Sequence, residues 1–338
     1  MIVRYDDSFV LPDDDVILID YEVDRSQFFE ELCGQYNKKY KLTYISPDCK
    51  IRYYNENIEC LSYPFVVWDI SFPEILNPDV KYNFISLNSS PKSFRLLLIA
   101  DLRKYDYFEY SFFPYPHVQN IEPGFNFGPK IPEIQKRLKT EIIQPRVLTE
   151  NNGFPLKFES FEEKDLDRSK WYLNNTVPLE YYESNIDIVT ESYIKNGIYF
   201  TEKTLKALSN KKPFLILGDQ HINKALKHLG FEIFEELFDY EFDEQADFLI
   251  RYKKMKEQIL RYINEDPIKI RQIIKGIGSP WNIKDKLDHN YELLKKIQRE
   301  RETLFVDLWG SEEERTISDN ELLDILTVSY THLTLPTI

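Results

Sequence analysis

Two short apolar runs, Ile186 to Val189 and Phe214 to Leu217, flank a stretch with helical spacing. Phe214 to Leu217 is four apolar residues in a row, and Ile186 to Val189 is apolar but for Asp187; runs without regular alternation suit a strand covered on both faces. Between the runs, Thr201 offers a hydroxyl cap, Leu205 and Leu208 share a helix face, and Pro213 prevents continuation beyond Asn210. A strand, a helix and a second buried strand form the repeating unit of a parallel α/β sheet. The pattern then repeats. Gly218 marks a turn, and Asp219 is expected to cap a helix with Ile222, Ala225, Leu226 and Leu229 on one face. Gly230 suits the left-handed closing position, and a further strand is expected after it.

The chemistry of this unit lies at Thr201-Glu202-Lys203. A helix N-terminus carries unpartnered N–H groups and partial positive charge, so it attracts anions such as phosphate. Lys203 in the first turn runs against the usual preference for acidic residues, at a cost of a few tenths of a kcal/mol unless an anion meets it. Glu202 has the acceptors to bind ribose hydroxyls. The same residues also suit an ordinary capped surface helix whose Lys and Glu are solvated.

FTEKTLKAL, followed by KKPFLILG and LKHLGFEIF, resembles the donor-binding half of the α-1,3-fucosyltransferases and related nucleotide-sugar glycosyltransferases. The likeness covers about a sixth of the chain closely and about half of it loosely. It implies two Rossmann-like domains facing a cleft (a GT-B-like glycosyltransferase architecture), with the donor held by the second. It also implies that Glu202 serves the ribose and Lys203 the diphosphate. One departure stands out: similar chains often have a Gly-rich turn after the second strand, where this chain has Asp219-Gln220-His221.

The residues around this unit extend the expected donor side. Lys81 to Asp101 reads as a strand through Ile85 and Leu87, a polar turn, and a helix burying Phe94, Leu97, Leu98 and Leu102. The turn holds Ser89, Ser90, Lys92, Ser93 and Arg95, a hydroxyl-rich basic corner suited to anions. On the family likeness, Arg95 partners Lys203 at the diphosphate and Asn88 is a contact; the same cluster also reads as a helix cap with a solvated Arg. Glu191, just after the first strand, and Tyr199, placed to stack on a base or sugar, complete the donor-side set.

Upstream, strands are expected at Val16 to Ile19, Leu42 to Ile45 and Phe65 to Trp68, with a helix over 26–36. Ligands of open α/β sheets collect outside the carboxyl ends of strands, so Asp20, Glu22 and Asp69 are candidates for the catalytic base; loop or capping roles also fit them. The run Asp13-Asp14-Asp15 follows a proline, and such carboxylates are more often solvated than metal-bound. Residues 112–132 read as a long Pro- and aromatic-rich loop containing His117. After Asp239 the pattern turns helical, with Phe248, Tyr252, Met255, Ile259 and Tyr262 on one face. Two more helices are expected over 268–274 and 283–305.

The division this suggests is an acceptor-side α/β domain over 1–79, a donor domain over 80–265 and a helical segment over 266–327. Residues 328–338 change character, resemble adapter read-through, and are set apart from fold reasoning. A length of 338 residues accommodates two domains. The net charge of −14 argues against a general nucleic-acid or anionic-membrane binder. Cys33, Cys49 and Cys60 fit no zinc pattern and suit a reducing compartment. With no signal peptide and no membrane-length apolar stretch, a cytoplasmic location is expected.

The expected activity is metal-independent transfer of a sugar, fucose by family likeness, from a nucleotide diphosphate sugar to a glycan or glycolipid hydroxyl, with no further cofactor. The competing expectation is a non-catalytic nucleotide- or glycan-binding α/β protein.

Overall fold

The computed structural model describes residues 2–4, 16–19, 42–46, 54–55, 58–62, 71–88, 93–102, 108–111, 177, 179–191, 194 and 198–309. The architecture is mixed α/β, with two hydrogen-bonded sheets in the order of the chain. The first comprises β1 (Ile2–Arg4), β2 (Val16–Ile19), β3 (Leu42–Ser46), β4 (Tyr54–Asn55) and β5 (Ile58–Ser62), ordered β1-β2-β3-β5-β4. All neighbours are parallel except β4, which pairs antiparallel with β5. β2 and β3 lie where apolar runs place them, whereas β1, β4 and β5 carry too little pattern to be read. The expected helix over 26–36 and strand at Phe65 to Trp68 lie outside the described residues, as do the 112–132 loop and the 328–338 tail.

The second sheet comprises β6 (Tyr82–Asn88), β7 (Phe108–Ser111), β8 (Ser184–Thr190) and β9 (Phe214–Leu217), all parallel and ordered β7-β6-β8-β9. β8 is buried at every residue, its polar Asp187 included, and so is β9, which accounts for the unbroken apolar run of β9. The chain steps from β6 outward to β7, then returns to β8 on the other side of β6. That reversal makes the carboxyl edge between β6 and β8 a topological switch point, where open α/β sheets form a crevice.

Helix α1 (Ser93–Leu102) follows β6 and buries Phe94, Leu97, Leu98 and Leu102. A single turn, α2 (Leu179–Tyr182), precedes β8. Helix α3 (Glu202–Ser209) joins β8 to β9, and α4 (Ile222–His228) follows β9. Two expectations fail in this last unit. The residue at the start of α4 is His221 in the left-handed region (φ 67), and Asp219 turns its carboxylate to the Gln220 N–H instead. After Gly230, which does close the helix at φ +92, residues 231–234 form no strand. Phe231, Ile233 and Phe234 are buried in irregular backbone, because side-chain burial and strand pairing are separate requirements.

Helices α5 (Phe248–Tyr262), α6 (Pro267–Ile274) and α7 (Ile283–Trp309) complete the described chain. Asp247 caps α5 through the Ile250 N–H, and Asp266 caps α6 ahead of Pro267 in the first turn, where a missing N–H costs nothing. Their apolar faces join the sheet's core: Ile259, Ile270, Ile274, Ile283, Leu287 and Leu294 are contiguous with Phe84, Ile186 and Phe214. A polar seam reinforces the junction. Arg271 donates to Asn185 Oδ1 and to the carbonyls of Tyr182 and Ser184, while Asn83 donates to the carbonyls of Tyr262 and Glu265. No helix among the described residues is long and apolar enough to cross a membrane.

Candidate functional site

The carboxyl edge between β6 and β8 gathers most of the residues singled out by sequence. Arg95 sits in the first turn of α1, the next described helix after β6. Its guanidinium is 1% exposed and donates through Nη2 to the carbonyls of Thr190 (2.9 Å) and Glu191 (3.4 Å), at the end of β8. The reading of a solvated Arg is therefore corrected: the buried side chain ties α1 to the end of β8. Asn88 ends β6 on the same edge, its backbone in register with Ser111 of β7.

Glu191 follows β8 and is fully buried. Its Oε1 accepts the Thr201 N–H at 3.0 Å and the Thr204 hydroxyl at 2.5 Å, and its Oε2 accepts the Thr201 hydroxyl at 2.5 Å. Thr201 has the expected extended cap conformation, and its oxygen accepts the Lys203 N–H at 3.3 Å. The carboxylate thus occupies the electropositive end of α3 from within the chain. Gly218 lies against this group: a Cβ there would meet Glu191 Cβ at 3.4 Å and Ile222 Cδ1 at 2.6 Å. The tight neighbour there is the Ile222 side chain of α4, which would have to shift to admit a side chain at Gly218.

Helix α3 is buried at all eight of its residues, which overturns the reading of a solvated surface helix. Glu202 and Lys203, 3% and 6% exposed, form an ion pair at 2.5 Å. Burial alone would push the Glu202 carboxyl up, but the charges of Lys203, Lys206 and Arg95 and the Lys203 hydrogen bond outweigh it and hold the group down at about 2. Lys206, one turn on, is lowered to about 8 by burial, partly opposed by Glu202. Tyr199 is buried in the approach to this helix.

Behind the cluster, in the middle of β8, Asp187 accepts the Tyr181 hydroxyl at 2.8 Å. Burial raises its carboxyl to about 7, against the lowering effect of that hydrogen bond and of Lys212 and Lys206. Lys212, itself pushed well below its usual value by burial, donates to the carbonyls of Tyr181 and Ser184 and to the Ser184 hydroxyl. Thr204, Lys206 and Asp187 were not singled out by sequence. The spacing of Glu202 to Lys206, four residues, is the one signal that could have marked a second cation on this face.

The structure therefore brings together Arg95, Glu191, Thr201, Glu202 and Lys203, with Asn88 on the same strand edge. Asp20, Glu22 and Asp69 lie outside the described residues. Chemically, three buried cations, Arg95 and the Lys203 and Lys206 of α3, stand with two buried carboxylates, Glu191 at the N-terminus of that helix and Glu202 in its first turn. Neither a protein-family model nor a curated protein matches this chain.

Proposed function

We propose that this protein transfers a sugar from a nucleotide diphosphate sugar to a glycan or glycolipid hydroxyl, with two Rossmann-like domains facing a cleft in the manner of GT-B-like enzymes. The observation that carries the reading is the meeting of Arg95 and Thr201-Glu202-Lys203 at the switch point between β6 and β8. Open α/β sheets bind ligands at that edge, and these residue types recognise a diphosphate and a ribose. In this reading Lys203 and Arg95 neutralise the departing diphosphate, a role that a metal fills elsewhere, and Glu202 binds the ribose. Asp20 or Asp69 takes the acceptor proton. Binding requires Lys203 to exchange its pairing with Glu202 for the phosphate oxygens.

The closed pairing of Glu202 with Lys203, and the occupation of the helix end by Glu191, favour a second reading: a nucleotide- or glycan-binding α/β protein without transfer activity. A thermal-shift screen with GDP, UDP, CMP and dTDP, with and without magnesium, tests both. A ligand at 100 times its dissociation constant stabilises by about 2.7 kcal/mol, which is readily measured. The expected result is a shift with one diphosphate, independent of magnesium and lost in Lys203→Ala. Stabilisation without sugar transfer or hydrolysis supports the second reading, and no shift with any nucleotide sinks the transferase reading and leaves only the glycan-binding form of the second.

A further inference from the structure

Three candidates compete outside the roles already described. The cavity of about 210 Å³ at the amino end of β6, lined by Lys81, Asn83, Ile263, Asn264, Glu265 and Pro267, has its best donor, Asn83, committed to two carbonyls. The exposed Ile75, Leu76, Leu179 and Ile277 offer apolar area with nothing that selects an occupant. Glu191 is different, because every contact it makes points to one task.

We infer that Glu191 is the positioning residue of the carboxyl edge: it fixes the Thr201-Glu202-Lys203 turn against Arg95 and makes no contact with ligand itself. The inference deepens the nucleotide-sugar reading and rests on it for its binding test only. Both carboxylate oxygens are spent on the first turn of α3, one on Thr201 N–H and Thr204 hydroxyl, the other on Thr201 hydroxyl. Its backbone carbonyl accepts from Arg95, and its Cβ faces Gly218. One residue therefore touches the end of β8, the cation from α1, the start of α3 and the turn out of β9.

Electrostatics point the same way. A carboxylate at the end of α3 supplies the negative charge that this helix terminus attracts, so the turn is ordered before any anion arrives. The two threonine hydroxyls lock the carboxylate from one side, and the strand that carries it locks it from the other. Glu191 thereby sets where Lys203 and Glu202 stand relative to Arg95, and through them the spacing available to a diphosphate.

The substitutions that test this are Glu191→Gln, Glu191→Ala and Thr204→Val. Gln keeps the shape, and the Thr201 hydroxyl can reverse to accept from its amide, so position is kept while charge is lost. Ala leaves both hydroxyls unmatched; Thr204→Val removes one contact only and serves if the Ala variant does not fold. Two readouts are needed. The first, free of any ligand, is the acylation rate of Lys203 relative to Lys206 in the same molecule, followed by peptide mass spectrometry. The expected result is a rise of at least about fivefold in Ala or Val and little change in Gln. The second is the dissociation constant for whichever of GDP, UDP, CMP or dTDP stabilises the wild type. The expected result is a tenfold or greater weakening in Ala, restored to within about threefold in Gln. Unchanged Lys203 acylation in a folded Ala or Val variant overturns the inference, and so does equal loss of binding in Ala and Gln, which would mean that charge or contact, not position, is what Glu191 supplies. If no nucleotide binds the wild type, the function reading falls, while the acylation result still decides the role of Glu191.

Discussion

Asp187 and Glu202 are both buried carboxyls on or beside β8, yet their surroundings drive them in opposite directions. Asp187 has burial against it and is raised from 3.8 to about 7, facing Tyr181, Lys212, Lys206 and Glu191. Its folded value lies above its unfolded one, so the native state holds a proton that the unfolded chain has released. Stability contributed by that proton is present below about pH 4 and is lost as pH rises to about 7. Glu202, surrounded by Lys203, Lys206 and Arg95, is lowered from 4.5 to about 2, so its contribution is present above 4.5 and lost as pH falls towards 2. Together the two groups favour a stability maximum in mildly acidic solution. Urea unfolding across pH 4 to 7 should show stability falling at up to about 1.4 kcal/mol per pH unit in the wild type. In Asp187→Asn, where Tyr181 can still donate to the amide oxygen, that slope should flatten. An equal slope in both proteins would show that Asp187 does not hold the proton.

Among the elements, α3 shows how little of a helix's role its own pattern reveals. Its cap, its Leu205 and Leu208 and its end near Asn210 were all legible in sequence, since each is a local requirement of helix geometry. Its complete burial was not, because that depends on what lies over its polar face. The cap now does double duty: the Thr201 hydroxyl accepts the Lys203 N–H and donates its proton to Glu191. Thr201→Ala should therefore cost more than an exposed cap, about 2 kcal/mol or the upper end of the usual range, and guanidinium unfolding would measure it. A loss of only a few tenths would mean that Glu191 finds another donor. The start of α4 is the contrary case. Asp219 is a good cap by residue type, yet the helix begins two residues later because the 3-10 turn Tyr240–Glu244 brings the Asp243 carboxylate to the Lys224 N–H and Asn223 amide. A carboxylate from a distant segment does what the local one was expected to do.

At the scale of the whole molecule, the C-terminal helices belong to the energetics of the second sheet. Their apolar faces continue its core, and Arg271 ties α6 to the start of β8 through three hydrogen bonds. Burial lowers the Arg271 guanidinium from its usual value, and the partners that accept its hydrogen bonds are the Tyr182 and Ser184 carbonyls and Asn185. Removing the donor leaves those acceptors buried without it, so Arg271→Ala should destabilise by about 3 kcal/mol. It should do so in one cooperative transition followed by both far-ultraviolet dichroism and tyrosine fluorescence. Separate transitions for the helices and the sheet would overturn the single-core account.

What the sequence determined by itself is what neighbours along the chain decide. The apolar-rich run of β8, the unbroken one of β9, the heptad-like face from Phe248 to Tyr262, the proline that stops α3 and the glycine that closes α4 were all readable, because strand burial, helix periodicity and turn conformation are local properties. The same applies to the residue types at the site: Arg95, Glu191, Thr201, Glu202 and Lys203 declared their chemistry by position in strand-to-helix turns. What only the tertiary structure decided is which charges meet. Glu191 reaches across ten residues to Thr201, Arg95 spans about a hundred to the end of β8, and Asp243 replaces Asp219 at α4. Strand order sets those meetings, and strand order depends on how the whole chain buries its surface, which no window of sequence contains.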